Sequence, residues 1–390
     1  MMEGGRDTTS KHLPTTFWVT PHGGGMARVT VVGAGLAGLA TALYATTAGH
    51  HVVVLERSER LGGRATSQTV DGAPFGYGLH LLLKNGPLRK LVKTISRLPM
   101  ALAAPRNDRL LVHGQGMVRP RNDVKRAALH RRALRNLERG TPVVQATALL
   151  AGSGLAEHGA RLTALQKQRL CVVGEGWAGI AGRMASALDE VGVLMEPTCT
   201  VTSVEQGRVT LADGRTFESD VVVLACGLTH ARRLLADANP ALLAGVETVC
   251  VSTIDATLRS RPLGELHGVL DPEEQAYVLD LSNVQPRLHL EGGYLSAVMA
   301  EREGEGAEER LERLERFLDR HAPGWGGHVL HQRRQAKVVA QTTGDKPTYD
   351  ACADLGILLA GEWVASEHTL ADAAAETGRL AGQNIAKAVR

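Results

Sequence analysis

The sequence predicts an α/β fold built on a buried parallel sheet, and three observations carry that expectation. A β-branched apolar run, Val29-Thr30-Val31-Val32, passes directly into Gly33-Ala34-Gly35-Leu36-Ala37-Gly38. A stretch of helical period follows and stops at Gly49. A second apolar run, His51 to Leu55, then closes on the acid Glu56. Short β-branched runs suit strands buried on both faces. The order strand, glycines, helix, strand, acid is that of a βαβ unit that binds a dinucleotide.

Each glycine has its own reason. Gly33 permits the tight turn out of the strand, Gly35 lets backbone approach a pyrophosphate, and Gly38 lets the helix pack tightly on the sheet. Leu36, Leu39, Ala40 and Leu43 share one helix face, and Gly49 fits a left-handed C-terminal cap. Leu36 and Ala37 open the helix whose N-terminus would hold the diphosphate. Glu56, followed by Arg57, would accept hydrogen bonds from a ribose hydroxyl.

Arg60-Leu61-Gly62-Gly63-Arg64 comes next. Together with the upstream motif it resembles the second FAD fingerprint of the amine oxidase, phytoene desaturase and protoporphyrinogen oxidase superfamily. The resemblance implies non-covalent FAD rather than NAD, with Gly62 and Gly63 beside the cofactor and Arg64 on its diphosphate. It implies a Rossmann-like FAD-binding domain (GR2-type) with an interleaved α+β substrate domain containing an antiparallel sheet. The expected division is a disordered leader at 1–25, an FAD-binding domain from 26–83, 168–234 and 350–390, and a substrate domain from 84–167 and 235–349.

Composition agrees with an enzyme of that kind. With 390 residues, 44% hydrophobic and 22% charged, the chain can build two sizeable cores. No run of about eighteen apolar residues exists, so no membrane-spanning helix is expected. Cys171, Cys199, Cys226, Cys250 and Cys352 form no C-x-x-C and stand at no metal spacing with histidine. They point to a reducing cytoplasm and no metal site.

Val70 to His80 resembles the superfamily segment in which a hairpin, turning here at Asp71-Gly72, leads to Gly78, Leu79 and His80 against the flavin. The family usually has an acid two residues before that glycine; this chain has Gly76. His80 is either a hydrogen-bond partner beside the flavin or a packed histidine without chemistry. The second reading is favoured, because one unpaired histidine identifies no base.

From 84 to 139 there are fifteen basic residues against three acidic ones, in a chain whose net charge is only +3. Such a face could meet lipid headgroups, a carrier-linked substrate or an acidic partner, or be simply solvated. Leu88, Leu91, Val92 and Ile95 would make it a basic amphipathic helix able to lie on a membrane, placing a cytoplasmic protein at the inner membrane face. Nucleic acid is not expected, since aromatics are not interleaved.

Thr141 to Lys167 reads as helical, with a break at Gly152-Ser153-Gly154. The stretch from Cys171 resembles the family's return to the FAD domain, with Trp177 at the domain junction or in the substrate cavity. Val201 would hold the adenine through its backbone. Strands are expected at Val249 to Leu258 and Gly292 to Met299, with Tyr294 facing the cavity, and a helix at Glu308 to Arg320 whose charges are solvated. Lys337 stands either where a lysine reaches flavin N5 through water in amine oxidases or on the surface. The end of the chain is similar to the family's last FAD motif: Gly361 and Glu362 near the ribityl or diphosphate region, and Leu370 and Ala371 at a helix N-terminus facing flavin O2.

An aromatic commonly opens that last helix in amine oxidases, and Leu370 stands there instead. An aliphatic pocket suits an apolar chain better than a cation. The sequence therefore favours the desaturase-like branch: hydride removal from a carbon of an apolar or carrier-linked small molecule. An amine or amino-acid oxidase is the alternative, and a non-redox binding or isomerase protein the third reading. No catalytic base is identified; His80, Lys337 and Tyr349 are the candidates.

Overall fold

The computed structural model describes residues 25–96, 98–118, 170–205, 207–289 and 291–389. Its strand Arg28–Val32 lies in the middle of a five-stranded parallel sheet ordered Leu194–Glu196, His51–Leu55, Arg28–Val32, Val221–Leu224 and Ile357–Leu359. The chain builds first to one side of the middle strand and then to the other. The crevice beyond its C-terminal end is therefore a topological switch point, where open α/β sheets bind ligands.

Helices Leu36–Thr47, Gly176–Glu190 and Leu370–Gln383 share one core on one face of this sheet. The first and last cross closely because glycines face the contact: a Cβ at Gly378 would stand 2.4 Å from the Ala37 carbonyl oxygen. The opposite face is covered by the three-stranded sheet Val201–Glu205, Arg208–Leu211, Thr216–Glu218 and by helix Leu228–Leu234.

The basic amphipathic helix forms at Pro87–Ile95, but its apolar stripe is not at the surface. Leu88, Leu91, Val92 and Ile95 are all buried in the core shared with the dinucleotide-side helices. Packing thus consumes the face that was expected to meet a membrane, and only the charges of Lys90 and Lys93 remain outside. This helix, expected with the substrate segment, shares its core with the parallel sheet. No helix among the described residues is long and apolar enough to cross a membrane. The leader to residue 24, Arg97 and residues 119–169, including the later part of the basic run and the Gly152-Ser153-Gly154 break, lie outside the described residues.

The second sheet has seven strands, ordered Val329–Gly344, Val246–Leu258, Gly293–Ala300, Ala276–Asp280, Gly268–Asp271, Leu110–Val112 and Gly116–Met117. It is mixed rather than wholly antiparallel. Leu110–Val112 arrives from an earlier passage of the chain and pairs in parallel with Gly268–Asp271. Helix Ala307–His321 packs Leu311, Leu314, Phe317 and Leu318 on one face of the sheet. Its charges are not all solvated, contrary to expectation. Arg310 is 1% exposed and donates from Nε to Ser252 Oγ at 3.0 Å and from Nη2 to the Ala336 carbonyl at 3.2 Å. Arg313 is also buried and pairs with Glu305 at 2.6 Å. Long arginine stems can cover apolar surface, and burial is tolerated where the head finds acceptors.

Candidate active site

The opening motif folds into a cradle at the switch point. Gly33 takes φ 105°, and a Cβ there would stand 2.9 Å from the Ala225 carbonyl oxygen on the neighbouring strand's exit. A Cβ at Gly38 would collide with the Gly33 carbonyl oxygen at 1.8 Å. At Gly35 the opposite holds, since a Cβ would meet nothing within 4 Å. The second fingerprint lies on the first: Gly62 N–H donates to the Ala34 carbonyl at 2.7 Å, and a Cβ at Gly63 would stand 3.2 Å from Gly35 Cα.

Glu56 is buried, and its carboxylate braces the same turn. Oε2 accepts Ala34 N–H at 2.8 Å, and Oε1 accepts Ser58 N–H at 2.9 Å and Ser58 O–H at 2.8 Å. A carboxylate offers about four lone-pair sites, so one acceptor position remains. Arg57 is exposed beside it. Val201 opens its strand in pairing with Leu211 and is buried.

The two ends of the chain meet here. Arg64 donates from Nη2 to Glu362 Oε1 at 3.0 Å and from Nη1 to the Val339 carbonyl at 3.1 Å. Glu362, expected near the ribityl or diphosphate region, also bonds to protein through its other oxygen: Oε2 accepts Thr342 N–H and O–H, both at 2.9 Å. Gly361 is tied to the last helix by Thr377, whose buried hydroxyl accepts Gly361 N–H at 2.9 Å. That helix opens at Leu370, which adopts φ 55°, a left-handed conformation unusual for a residue with a branched side chain. Partly buried Ala371 follows it.

Strands of the seven-stranded sheet clamp the segment from Gly76 to His80. The Tyr294 hydroxyl oxygen accepts Gly76 N–H at 2.6 Å, Arg333 Nη1 donates to the Gly76 carbonyl, and Asp255 Oδ2 accepts Gly78 N–H at 2.6 Å. Tyr294 is buried and stacked on Phe75, so it holds the loop rather than lining a cavity. The glycine at 76 has a local reason: a Cβ would press on the Tyr294 hydroxyl at 3.3 Å. Asp255 is fully buried, also accepts Ser296 O–H at 2.6 Å, and burial pushes its carboxyl up to about 6. Leu79 packs against the neighbouring core. His80 Nδ1 lies 3.0 Å from the Gly78 carbonyl, its backbone oxygen accepts Trp177 Nε1–H at 3.1 Å, and burial lowers its pKa.

The three candidate bases are not brought together. Lys337 is exposed, at an irregularity opposite Ser252 in the pairing of its strand. Tyr349 packs below the parallel sheet, and Lys387 donates to its hydroxyl at 2.6 Å. Sequence reasoning missed Asp255, Arg333, Thr377 and Asp372, whose carboxylate accepts Leu88 N–H at 3.2 Å. An acid in a helix's first turn was the available signal for Asp372. The others had none, because their partners lie far along the chain.

The open side of Gly35, the helix start behind it, the remaining acceptor position of Glu56 and the half-exposed Arg64 at the rim fit a dinucleotide diphosphate and ribose. Comparison with known proteins gives the same direction. Residues 31–96 match the NAD(P)-binding Rossmann-like domain, and residues 120–386 match the flavin containing amine oxidoreductase family. The chain is 52% identical over 50 residues to the carotenoid 3,4-desaturase of Haloarcula japonica, covering 13% of this chain and 10% of that enzyme. It is 58% identical over 62 residues to the L-amino-acid oxidase of Demansia vestigiata, covering 16% and 11%. The chain thus spans only about a tenth of these two relatives. Cyclohexylamine oxidase from Brevibacterium oxydans has a similar fold, with TM-score 0.66 at 17% identity over 93% of this chain and 99% of that one. Since the flavin family's match takes in well over half of the sequence, the chain belongs to the flavin containing amine oxidoreductase family and is an FAD-dependent oxidoreductase.

Proposed function

We propose that this oxidoreductase removes hydride from a carbon of a largely apolar substrate and leaves a double bond, the adjacent carbon losing a proton. One observation carries the choice over an amine. The ring of Tyr77, the aromatic nearest the expected flavin loop, is covered by the chain's own cations, with the Arg333 guanidinium 3.6 Å and that of Arg60 5.6 Å from its centroid. Arg333 also lies 4.9 Å from the Phe75 centroid. An aromatic face already serving a guanidinium offers little to a substrate ammonium, and Leu370 adds an aliphatic side chain where amine oxidases commonly have an aromatic.

When bound, FAD supplies the hydride acceptor. In this reading the residues that hold it are those of the cradle: Gly33, Gly35, Leu36, Ala37 and Gly38 at the diphosphate, Glu56 and Arg57 at the ribose, and Val201 at the adenine. Gly62, Gly63 and Arg64 close over it, and Gly78, Leu79 and His80 flank the ring. Gly361 and Glu362 fix the strand end from which Leu370 and Ala371 aim backbone N–H groups, where a helix N-terminus favours negative charge. His80, kept neutral by burial, holds the loop rather than acting as a base.

The test is the visible spectrum of the purified protein, repeated without oxygen in the presence of apolar alkenes or amines. Bleaching of the flavin bands by apolar substrates only is the expected result. Bleaching by amines or amino acids would replace this reading with that of an amine oxidase. A coloured protein that nothing bleaches would favour a non-redox role.

A further inference from the structure

Among the described residues, three metal-ligating side chains from distant parts of the chain converge at one place: His113, Asp271 and His321. The parallel pairing of Leu110–Val112 with Gly268–Asp271 sets the turn holding His113 beside the strand end at Asp271, with His113 N–H donating to the Leu270 carbonyl at 2.8 Å. His321 is the last residue of helix Ala307–His321, which packs over that strand. One ligand atom from each side chain lies within 4.8 Å of the other two. The cysteine and histidine spacing considered in the sequence could not reveal this cluster, because its members come from three separate elements.

We propose that these residues form a binding site for a divalent transition cation of the zinc type, separate from the flavin site. Two imidazole nitrogens and one carboxylate oxygen form a donor set suited to zinc and its neighbours rather than to calcium or magnesium, which take oxygen ligands. The carboxylate is already oriented, as Asp271 Oδ1 accepts the N–H groups of Glu273 and Glu274, both at 3.1 Å. Its other oxygen lies 3.5 Å from His321 Nε2, with the side chains 2% and 8% exposed. His321 Nε2 makes no hydrogen bond despite that burial. A buried polar atom left without a partner beside a carboxylate needs an explanation, and a cation between them supplies one.

The competing cation is Arg320, whose Nη1 stands 4.0 Å from Asp271 Oδ2 and 3.5 Å from Glu274 Oε1. It is half exposed and has Glu274 as its nearer partner, so it can yield the carboxylate. A bound ion would clip the hairpin turn, the strand end and the helix end together.

The experiment uses the full chain stripped with a chelator and titrated with zinc chloride. Calorimetry measures stoichiometry and affinity, and melting temperature is followed in parallel. The expected result is one zinc per chain, a raised melting temperature, and affinity reduced at least about tenfold in His113→Gln and in His321→Gln. His113 is exposed, so its variant tests the site even if the substitution at buried His321 prevents folding. Flavin absorbance should be unchanged throughout, which keeps this result distinct from the fate of the redox reading. No zinc uptake, or uptake with undiminished affinity in His113→Gln, would overturn the proposal.

Discussion

Gly35 and Gly38 are three residues apart and alike in the sequence, yet substitution should act on them in opposite ways. A side chain at Gly38 meets backbone at 1.8 Å, so it would break the packing of helix on turn. A side chain at Gly35 meets only open space, with φ −72° accessible to any residue. Gly35→Val is therefore expected to fold with a near-native melting temperature and to purify colourless, its isopropyl group standing where the diphosphate would lie. A yellow, fully loaded variant would remove the assignment of that turn. At this scale the sequence was highly legible, because glycine spacing reports backbone geometry directly. It was less so for Glu362, whose partners Arg64 and Thr342 were not visible. The left-handed backbone at Leu370 was equally hidden, since leucine gives no local sign of it.

At the scale of elements, the hairpin of Ser67–Val70 and Ala73–Gly76 formed as its Asp71-Gly72 turn required, but what grips the loop beyond it was out of reach. Alternation pointed to strands at Val249 to Leu258 and Gly292 to Met299, which form as Val246–Leu258 and Gly293–Ala300, without revealing that Asp255 and Tyr294 would both meet that loop. The answer depends on which sheet face turns toward the dinucleotide side. Asp255 makes the clamp sensitive to pH. Its folded pKa, raised to about 6 from 3.8, means that burial favours the neutral acid. Stability from that group is fully present below about 3.8 and lost as pH rises through about 6. Asp255→Asn can accept Gly78 N–H through its amide oxygen and donate from its amide nitrogen to the Ser296 hydroxyl oxygen, without ionising. Measured by denaturation, the native chain should lose on the order of 3 kcal/mol relative to this variant between about pH 4 and 6, with no further change above. A difference independent of pH would show that Asp255 ionises without penalty.

Across the whole molecule, charge and apolar surface have been separated. The strongly basic stretch would be a membrane-inserting element if its apolar stripe were free, but Leu88, Leu91, Val92 and Ile95 belong to the core. We therefore propose that any contact of this face with an anionic surface or acidic partner is electrostatic only. The chain should adsorb to vesicles containing anionic lipid at low salt, detach as the Debye length shrinks toward about 3 Å at 1 M salt, and ignore neutral vesicles. Adsorption that survives high salt would require an apolar insertion that the described residues do not offer. The amphipathic period of 87–95 was legible in the sequence; the direction it faces was not, because period defines a stripe and only tertiary packing decides what covers it.

The bridge from Arg64 to Glu362 also sets an order in time. During synthesis the glycine turn and Arg64 leave the ribosome almost three hundred residues before their partner. Until Ile357–Leu359 is made, Val221–Leu224 is an unpaired edge and the cradle lacks one wall. Contacts of such sequence separation slow folding. The nascent chain must keep an incomplete nucleotide site from aggregating until its last few dozen residues emerge, and a chain cut short before them would expose that edge permanently.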